Sequence, residues 1–421
     1  MVFLYNLSIK LYLLIVFIAS HFNAKAKFFI EGRKGIWERM AKQVDPSCQT
    51  IWVHCSSLGE FEQGRPVIEA IKQHDPNLRI FLTFFSPSGY EIRKNYPLAD
   101  YIFYLPLDTK RNAKRFIRLI NPQMAIFVKY EFWYHYLNEL KNRNIPTYLV
   151  SGVFRANQIF FKPYGGWYRK FLNAFTTFFV QNNDSKNLLQ SIGYSNVIVT
   201  GDTRFDRVAK IASEAKEIPL VRDFVANHQV LVAGSTWPKD EDIILPLANE
   251  FPELKIIIVP HEIDELHIQE IIRKSPIPPI RFSKPDFSKT TEAKILIVDT
   301  IGLLSSIYQY ATVAYIGGGF GTGIHNTLEA AAYGIPVIFG PNYHKFQEAN
   351  DLIANKGGFS ISSYDETKNL LNLLLTDKNS YQLIAKHAEE LVNLGIGATQ
   401  KVVAIILKKA RERFPKMFSE V

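Results

Sequence analysis

Cysteine is almost absent from this chain of 421 residues, with only Cys48 and Cys55 present. Two thiols exclude a disulfide framework and a cysteine-based metal site, and they suit a reducing cytoplasm better than an exported fold. No GxxxxGK[ST] loop occurs anywhere, so a P-loop nucleotide hydrolase is excluded on motif grounds. Low-complexity tracts and repeats with periods of about 20–50 residues are missing too, which removes solenoids and long disordered linkers. Nor is there a run of about 20 unbroken apolar residues, the length a full membrane span needs. Apolar residues make up 47% and charged residues 21%, an ordered globular composition long enough for two or three domains.

What the chain does carry is positive charge, 49 Lys+Arg against 40 Asp+Glu for a net +9. An anionic partner follows, and on charge alone nucleic acid and acidic membrane both fit. The opening segment MVFLYNLSIKLYLLIVFIASHF is strongly apolar but broken by Asn6, Ser8 and Lys10. It spans a bilayer with Lys10 snorkelling, or it lies in the interface; composition leaves both open. Lys25, Lys27, Arg33, Lys34 and Arg39 follow, and a positive flank stays cytoplasmic. A cleaved signal peptide is the rival reading, since Ala24-Lys25-Ala26 resembles a cleavage site, but the basic flank argues against export.

Apolar strand candidates recur at 51–55, 80–84, 101–105, 124–128, 147–150, 177–181 and 196–200, with helical patterns between most of them. The series restarts at 229–233, 255–259, 294–298 and 313–316. Such alternation predicts α/β domains built on parallel sheets, with ligands at the carboxyl ends of the strands. The segments divide into an N-terminal anchor and basic flank (1–40), a first domain (41–210) and a second domain with C-terminal helices (211–421).

The stretch Gly317 to Pro341, GGGFGTGIHNTLEAAAYGIPVIFGP, carries the clearest site pattern. A strand meets a glycine turn at Gly317, Gly318 and Gly319, and a short helix carrying His325, Asn326 and Glu329 is expected next. Glycines allow φ > 0 and close approach of a ligand, helix N–H groups favour a phosphate, and a carboxylate at Glu329 suits the two hydroxyls of a ribose. The third glycine of a dinucleotide fingerprint is missing, because Thr322 stands there. A tight structural turn with a solvated Glu explains the pattern equally well.

Other strand ends offer weaker candidates, each with a plain structural reading beside it. Glu60, in SSLGEFEQG, is placed to act as a general base or to complement a helix dipole. Glu131, in KYEFWYHY, is a carboxylate among aromatics, a placement that calls for a partner. Ser86 and Ser88 offer hydroxyls to a sugar or merely cap a helix, and Arg155 faces an acceptor or a surface carboxylate. Ser235 and Thr236 sit in a turn suited to phosphate, and His261 follows a strand-ending proline. Lys110, Lys114 and Arg118 line one helical stripe, a solvated face or a contact for anionic lipid.

In order along the chain, WVHCSSLGEFEQG, KYEFW, GDTRFD, VAGST, VPHE, VDTIGLL and the glycine-rich stretch resemble the 3-deoxy-D-manno-octulosonic acid (Kdo) transferases of Gram-negative lipopolysaccharide synthesis. The resemblance implies a GT-B fold, two Rossmann-like domains with parallel sheets facing across a cleft, and an N-terminal membrane-anchor helix. It implies CMP-Kdo as donor and the lipid A precursor, lipid IVA, as acceptor, at the cytoplasmic face of the inner membrane beside its lipid. Inverting transfer without metal or cofactor is implied as well, and no nucleic-acid partner. Glu60 matches the family's general base in the SxGE loop, Glu131 its second carboxylate, and Asn326 and Glu329 its HNxxE pair. Three departures stand out: His261-Glu262 lacks the usual neighbouring Arg, Trp237 replaces a His after GST, and Lys129-Tyr130-Glu131 replaces ETE. Charge at the donor phosphate then falls to Arg204 or Lys345. A GT-B enzyme using a UDP-sugar, whether another glycosyltransferase or a sugar-nucleotide epimerase, is the alternative.

Overall fold

The computed structural model describes residues 1–286, 288 and 290–413. Two compact units emerge, one of Met1–Asp206 together with the segment beginning at Gly397, the other of Arg207–Ile396. The first crossing lies close to the boundary at 210 expected from the sequence. The second is a correction: the last helix, Ala398–Arg413, belongs to the first unit and not to the second. Its apolar stripe of Val402, Val403, Ile406, Leu407 and Ala410 is buried in one core with Val67, Ile68 and Ile71 of the helix Leu58–His74. Burial of that stripe, at roughly 25 cal/mol per Å² of apolar surface, is what draws the chain back to the first unit.

The first unit contains β1 (Thr50–Cys55), β2 (Arg79–Phe84), β3 (Tyr101–Tyr104), β4 (Pro122–Val128), β5 (Thr147–Gly152), β6 (Thr177–Val180) and β7 (Val197–Val199). All pair in parallel, in the order β3-β2-β1-β4-β5-β6-β7. Both faces of this sheet are covered, which is why β1 is largely apolar and buried at every position. Successive residues alternate sides. Trp52 packs with Phe81, Phe116 and Phe127 on one face, while Val53 packs with Val67, Ile68 and Ile406 on the other.

The second unit repeats the plan with β8 (Val230–Thr236), β9 (Lys255–Pro260), β10 (Ile280–Arg281), β11 (Ile295–Ile297), β12 (Val313–Ile316), β13 (Val337–Phe339) and β14 (Gly358–Ser360). These too are parallel, ordered β10-β11-β9-β8-β12-β13-β14. The short edge strands β10 and β14 lack the apolar runs that make the others legible. In each sheet the strand order switches direction beside the first strand, between β1 and β4 and between β8 and β12; in the second sheet β11 also inserts between β9 and the edge strand β10. Ligands of doubly wound sheets bind at such a reversal, outside the carboxyl ends.

The 1–40 segment is not a separate body. Helices Val2–Ala19, Ala24–Glu31 and Ile36–Gln43 belong to the first unit. Along Val2–Ala19 a stripe of Tyr5, Ile9, Leu13 and Val16 is half-buried, while Phe3, Leu4, Leu7, Leu11, Leu14, Ile15, Phe17 and Ile18 are exposed. Arg33 does not serve as a solvated flank charge. Its guanidinium lies 3.7 Å from the Phe29 ring centre and 4.7 Å from that of Tyr104, and donates to the carbonyls of Leu105 and Phe85. Cys55 is buried beneath the site, and burial pushes its thiol well above the ordinary value, so it is a core residue.

Candidate active site

Glu60 and Glu131 flank the reversal in the first sheet, one just beyond β1 and the other just beyond β4. Glu60 does not stand in the turn but at the third position of the helix Leu58–His74, where Ser57 and Glu60 form a capping box. The Ser57 backbone N–H and hydroxyl both donate to Glu60 Oε2, at 2.8 and 2.9 Å. Among the described residues Oε1 carries no bond. Burial first, and then the negative charge of Glu131, push the Glu60 carboxyl above its ordinary value, outweighing the Ser57 bonds. A half-buried carboxylate with one tethered and one open oxygen and raised basicity is suited to accept a proton.

Glu131 is 7% exposed and finds the partners that its apolar surroundings demand. Trp133 Nε1 donates to Glu131 Oε2 at 2.7 Å, and His54 Nε2 lies 3.2 Å from the same oxygen. His54, fully buried on β1, has its Nδ1 2.8 Å from Thr83 Oγ1, which also accepts from Trp52 Nε1 at 2.9 Å. Trp52, Thr83, His54, Glu131 and Trp133 thus form one polar chain beneath the reversal. His54 and Thr83 are absent from the candidates read off the sequence. The signal for them is a polar residue inside an otherwise apolar strand, His54 at the fifth position of TIWVHC and Thr83 at the fifth of RIFLTF. Lys129, which opens the loop after β4, has φ of 65°, a left-handed geometry concentrated at functional turns.

In the second unit the glycine turn lies at the carboxyl end of β12, next to the end of β8. Gly318 has φ of 92° and donates its N–H to Asp240 Oδ2 at 2.8 Å, while Gly317 donates to Gly234 O. A Cβ on Gly319 would stand 2.5 Å from Gly340 Cα. The glycines therefore serve close approach of the turn to its own backbone, and two of their N–H groups are already spent. Asp240 also accepts from Trp237 N at 2.9 Å and from the Tyr315 hydroxyl at 2.7 Å. A cavity of about 390 Å³ opens here, lined by Trp237, Lys239, Asp240, Gly318, Phe320 and Thr322.

The helix after the turn is shorter than expected, Leu328–Ala331, so His325 and Asn326 precede it and only Glu329 lies on it. Asn326 Oδ1 accepts from Leu328 N at 3.2 Å, and its Nδ2 donates to Glu329 Oε1 at 2.9 Å. The pair therefore arrives oriented. His325 stacks on His261 with ring centres 4.2 Å apart, and His261 stacks on Trp237 at 5.0 Å. Trp237 Nε1 donates to His325 Nε2 at 3.2 Å, and burial, then His261, lowers His325 to about 4, keeping it neutral. The Trp that departs from the family pattern thus sets the tautomer of the HNxxE histidine.

Remaining candidates fall unevenly. Thr236 is fully buried with its hydroxyl on Glu241 Oε1 at 2.9 Å, so it offers no hydroxyl to a phosphate; Ser235 is half-buried with φ of 55°. Arg204 lies in the first unit, donating from Nε and Nη2 to Asp202 Oδ2 at 3.0 and 2.8 Å, so it is already committed to a buried carboxylate. Lys345 is exposed in the second unit, ahead of the helix Gln347–Ala354. Ser86 and Ser88 bond each other, with Ser86 capping the helix Pro87–Arg93, and Arg155 is exposed beyond β5.

A family model described as 3-deoxy-D-manno-octulosonic-acid transferase (kdotransferase) matches residues 31–207, a range that takes in Glu60 and Glu131. The chain is 29% identical over 347 residues to the 3-deoxy-D-manno-octulosonic acid transferase of Aquifex aeolicus, covering 80% of this chain and 90% of that protein. It is 27% identical over 375 residues to the enzyme of the same name from Rickettsia bellii, covering 87% and 88%. Over most of its length the chain is similar to the Kdo transferases. Among solved structures, UDP-GlcNAc 2-epimerase from Neisseria meningitidis bound to UDP-GlcNAc superposes with a TM-score of 0.61, covering 86% of this chain and 100% of that one at 17% identity. The calicheamicin glycosyltransferase CalG4 gives 0.57, covering 87% and 99% at 12% identity. These two show that the chain has the GT-B fold, and at such identities they speak to the fold alone.

Proposed function

We propose that this chain transfers Kdo from CMP-Kdo to a hydroxyl of the lipid A precursor, lipid IVA, with inversion, in lipopolysaccharide synthesis. The observation that carries the reading is the carboxylate pair at the first sheet's reversal, where Glu60 keeps one open oxygen and raised basicity beside Glu131. In the proposed step Glu60 takes the proton from a glucosamine 6-hydroxyl as its oxygen bonds to the anomeric carbon. The anomeric bond to phosphate breaks, and the electron pair leaves with CMP from the opposite face. CMP is its own good leaving group, so the step calls on no cofactor. The second unit holds the donor in this reading, with Glu329 on the ribose hydroxyls, Asn326 orienting it, and Ser235, Gly318, Gly319, His261 and Lys345 near the sugar-phosphate end.

Similarity to the Kdo transferases and the exposed apolar face of Val2–Ala19 support attachment to the membrane, in this reading at the cytoplasmic face of the inner membrane. A helix whose inner stripe lies on the first unit is suited to the interfacial mode, with its outer face in lipid. Glu60→Gln is expected to abolish transfer from CMP-Kdo to lipid IVA, read by the mass of the lipid product, while CMP binding persists. Undiminished turnover in that variant would remove the proposed base. Product formed from a UDP-sugar and none from CMP-Kdo would replace the donor assignment.

A further inference from the structure

The N-terminal helix reaches the candidate site by two separate routes. Tyr5 donates its hydroxyl to Asp108 Oδ2 at 2.5 Å and accepts from Tyr134 N at 3.4 Å. Asp108, 1% exposed, also accepts from the backbone N–H groups of His135 and Tyr136, each at 3.0 Å, and so caps the helix Tyr134–Asn142 that begins directly after Glu131 and Trp133. Beside it, His135 Nε2 donates to Asn6 Oδ1 at 2.6 Å. The second route is apolar. Tyr12 stacks on Phe85 with ring centres 6.0 Å apart, Phe85 lies 4.4 Å from Trp133, and Trp133 donates to Glu131.

An anchor that only attached the enzyme to lipid would need none of these contacts. Asn6 and Tyr5 are polar groups in a largely apolar segment, and both bond the first turn of the helix Tyr134–Asn142, which directly follows the loop carrying a candidate catalytic carboxylate. We propose that the inner face of the N-terminal helix is a positioning element of the active site, holding segment 130–136 and thereby Glu131 in register, while its outer face engages lipid. Attachment and site geometry then reside on opposite sides of one helix. This inference rests on the proposed role of the Glu60–Glu131 pair.

The test uses the full chain in detergent micelles with CMP-Kdo and lipid IVA. Tyr5→Phe/Asn6→Leu leaves the helix apolar, so co-sedimentation with vesicles of phosphatidylethanolamine and phosphatidylglycerol should be unchanged. Misplacement of the loop should lower kcat about tenfold or more with the CMP-Kdo KM unaltered. Asn6→Asp, which keeps an acceptor oxygen for His135, should retain most of the turnover. Leu7→Ser/Ile15→Ser, on the exposed face, should do the reverse, losing vesicle binding while keeping micellar kcat. Turnover in Tyr5→Phe/Asn6→Leu within about twofold of the unaltered chain would overturn the proposal, as would an equal kcat loss from the outer-face pair. If Glu60→Gln is inactive while the Tyr5/Asn6 variant is fully active, only this inference fails; if Glu60→Gln is active, the reading beneath it fails first.

Discussion

Removing the carboxylate of Asp240 should loosen the glycine turn by a magnitude that its contacts set. Asp240 is 1% exposed and accepts from Trp237 N, Gly318 N and the Tyr315 hydroxyl at 2.7–2.9 Å. Burial and then the Asp240 charge keep the Tyr315 phenol protonated well above its ordinary value, so all three donors depend on this one acceptor. Asp240→Ala leaves two amides and a buried phenol without their shared acceptor. Each bond to a charged acceptor is worth about 1.5–3 kcal/mol, but the three share one group, so about 4 kcal/mol is expected and not the full sum. Asp240→Asn can turn its oxygen to the two amides and its NH₂ to the Tyr315 oxygen, and should cost about 1–2 kcal/mol. Amide hydrogen exchange over 315–323 reads the difference: at a tenfold rate change per 1.4 kcal/mol, Gly318 should exchange about a thousandfold faster in Asp240→Ala and about tenfold faster in Asp240→Asn. Equal protection in the Ala variant and the unaltered chain would refute the claim that this carboxylate holds the turn.

Two further expectations concern the first unit. Glu131→Gln removes a negative neighbour that raises Glu60, so the Glu60 carboxyl should fall, though not to its ordinary value because burial is the larger cause. The acid limb of residual activity should move to lower pH, and a shift to higher pH would contradict the assigned coupling. Asp206 accepts from Gly397 N at 2.6 Å and Thr399 N at 2.7 Å, tying the start of the last helix to the point where the chain first leaves the unit. Asp206→Ala should destabilise that helix by about 1–2 kcal/mol, seen as faster limited proteolysis across 397–413; an unchanged cleavage rate would show the cap to be idle.

Strands are legible wherever both faces are buried, as in β1, β4, β8 and β9, because a parallel sheet demands near-continuous apolar runs. The two-residue β10 carries no such run and leaves no mark in the sequence. Glu60 is open to more accurate placement, since Ser57-x-x-Glu60 is a capping box in plain sight. The helix expected from His325 starts instead at Leu328, because the Asn326 side chain takes the Leu328 amide and competes with the helical turn. Thr236 resembles a ligand hydroxyl only because its buried partner Glu241 cannot be inferred from spacing.

By itself the sequence determined two βαβ series, their junction near 210, an apolar N-terminal segment and a set of strand-end residues that resemble those of the Kdo transferases. Those are consequences of local periodicity and short motifs, which a chain carries along its length. Tertiary structure alone decided which strand ends meet. Only the sheet order sets β1 beside β4, bringing His54 onto Glu131 across 77 residues of chain. It also returned the last helix to the first unit and turned Tyr5 and Asn6 inward. Such choices depend on which distant apolar faces bury each other and which buried polar groups find partners, and neither is a property of any one segment.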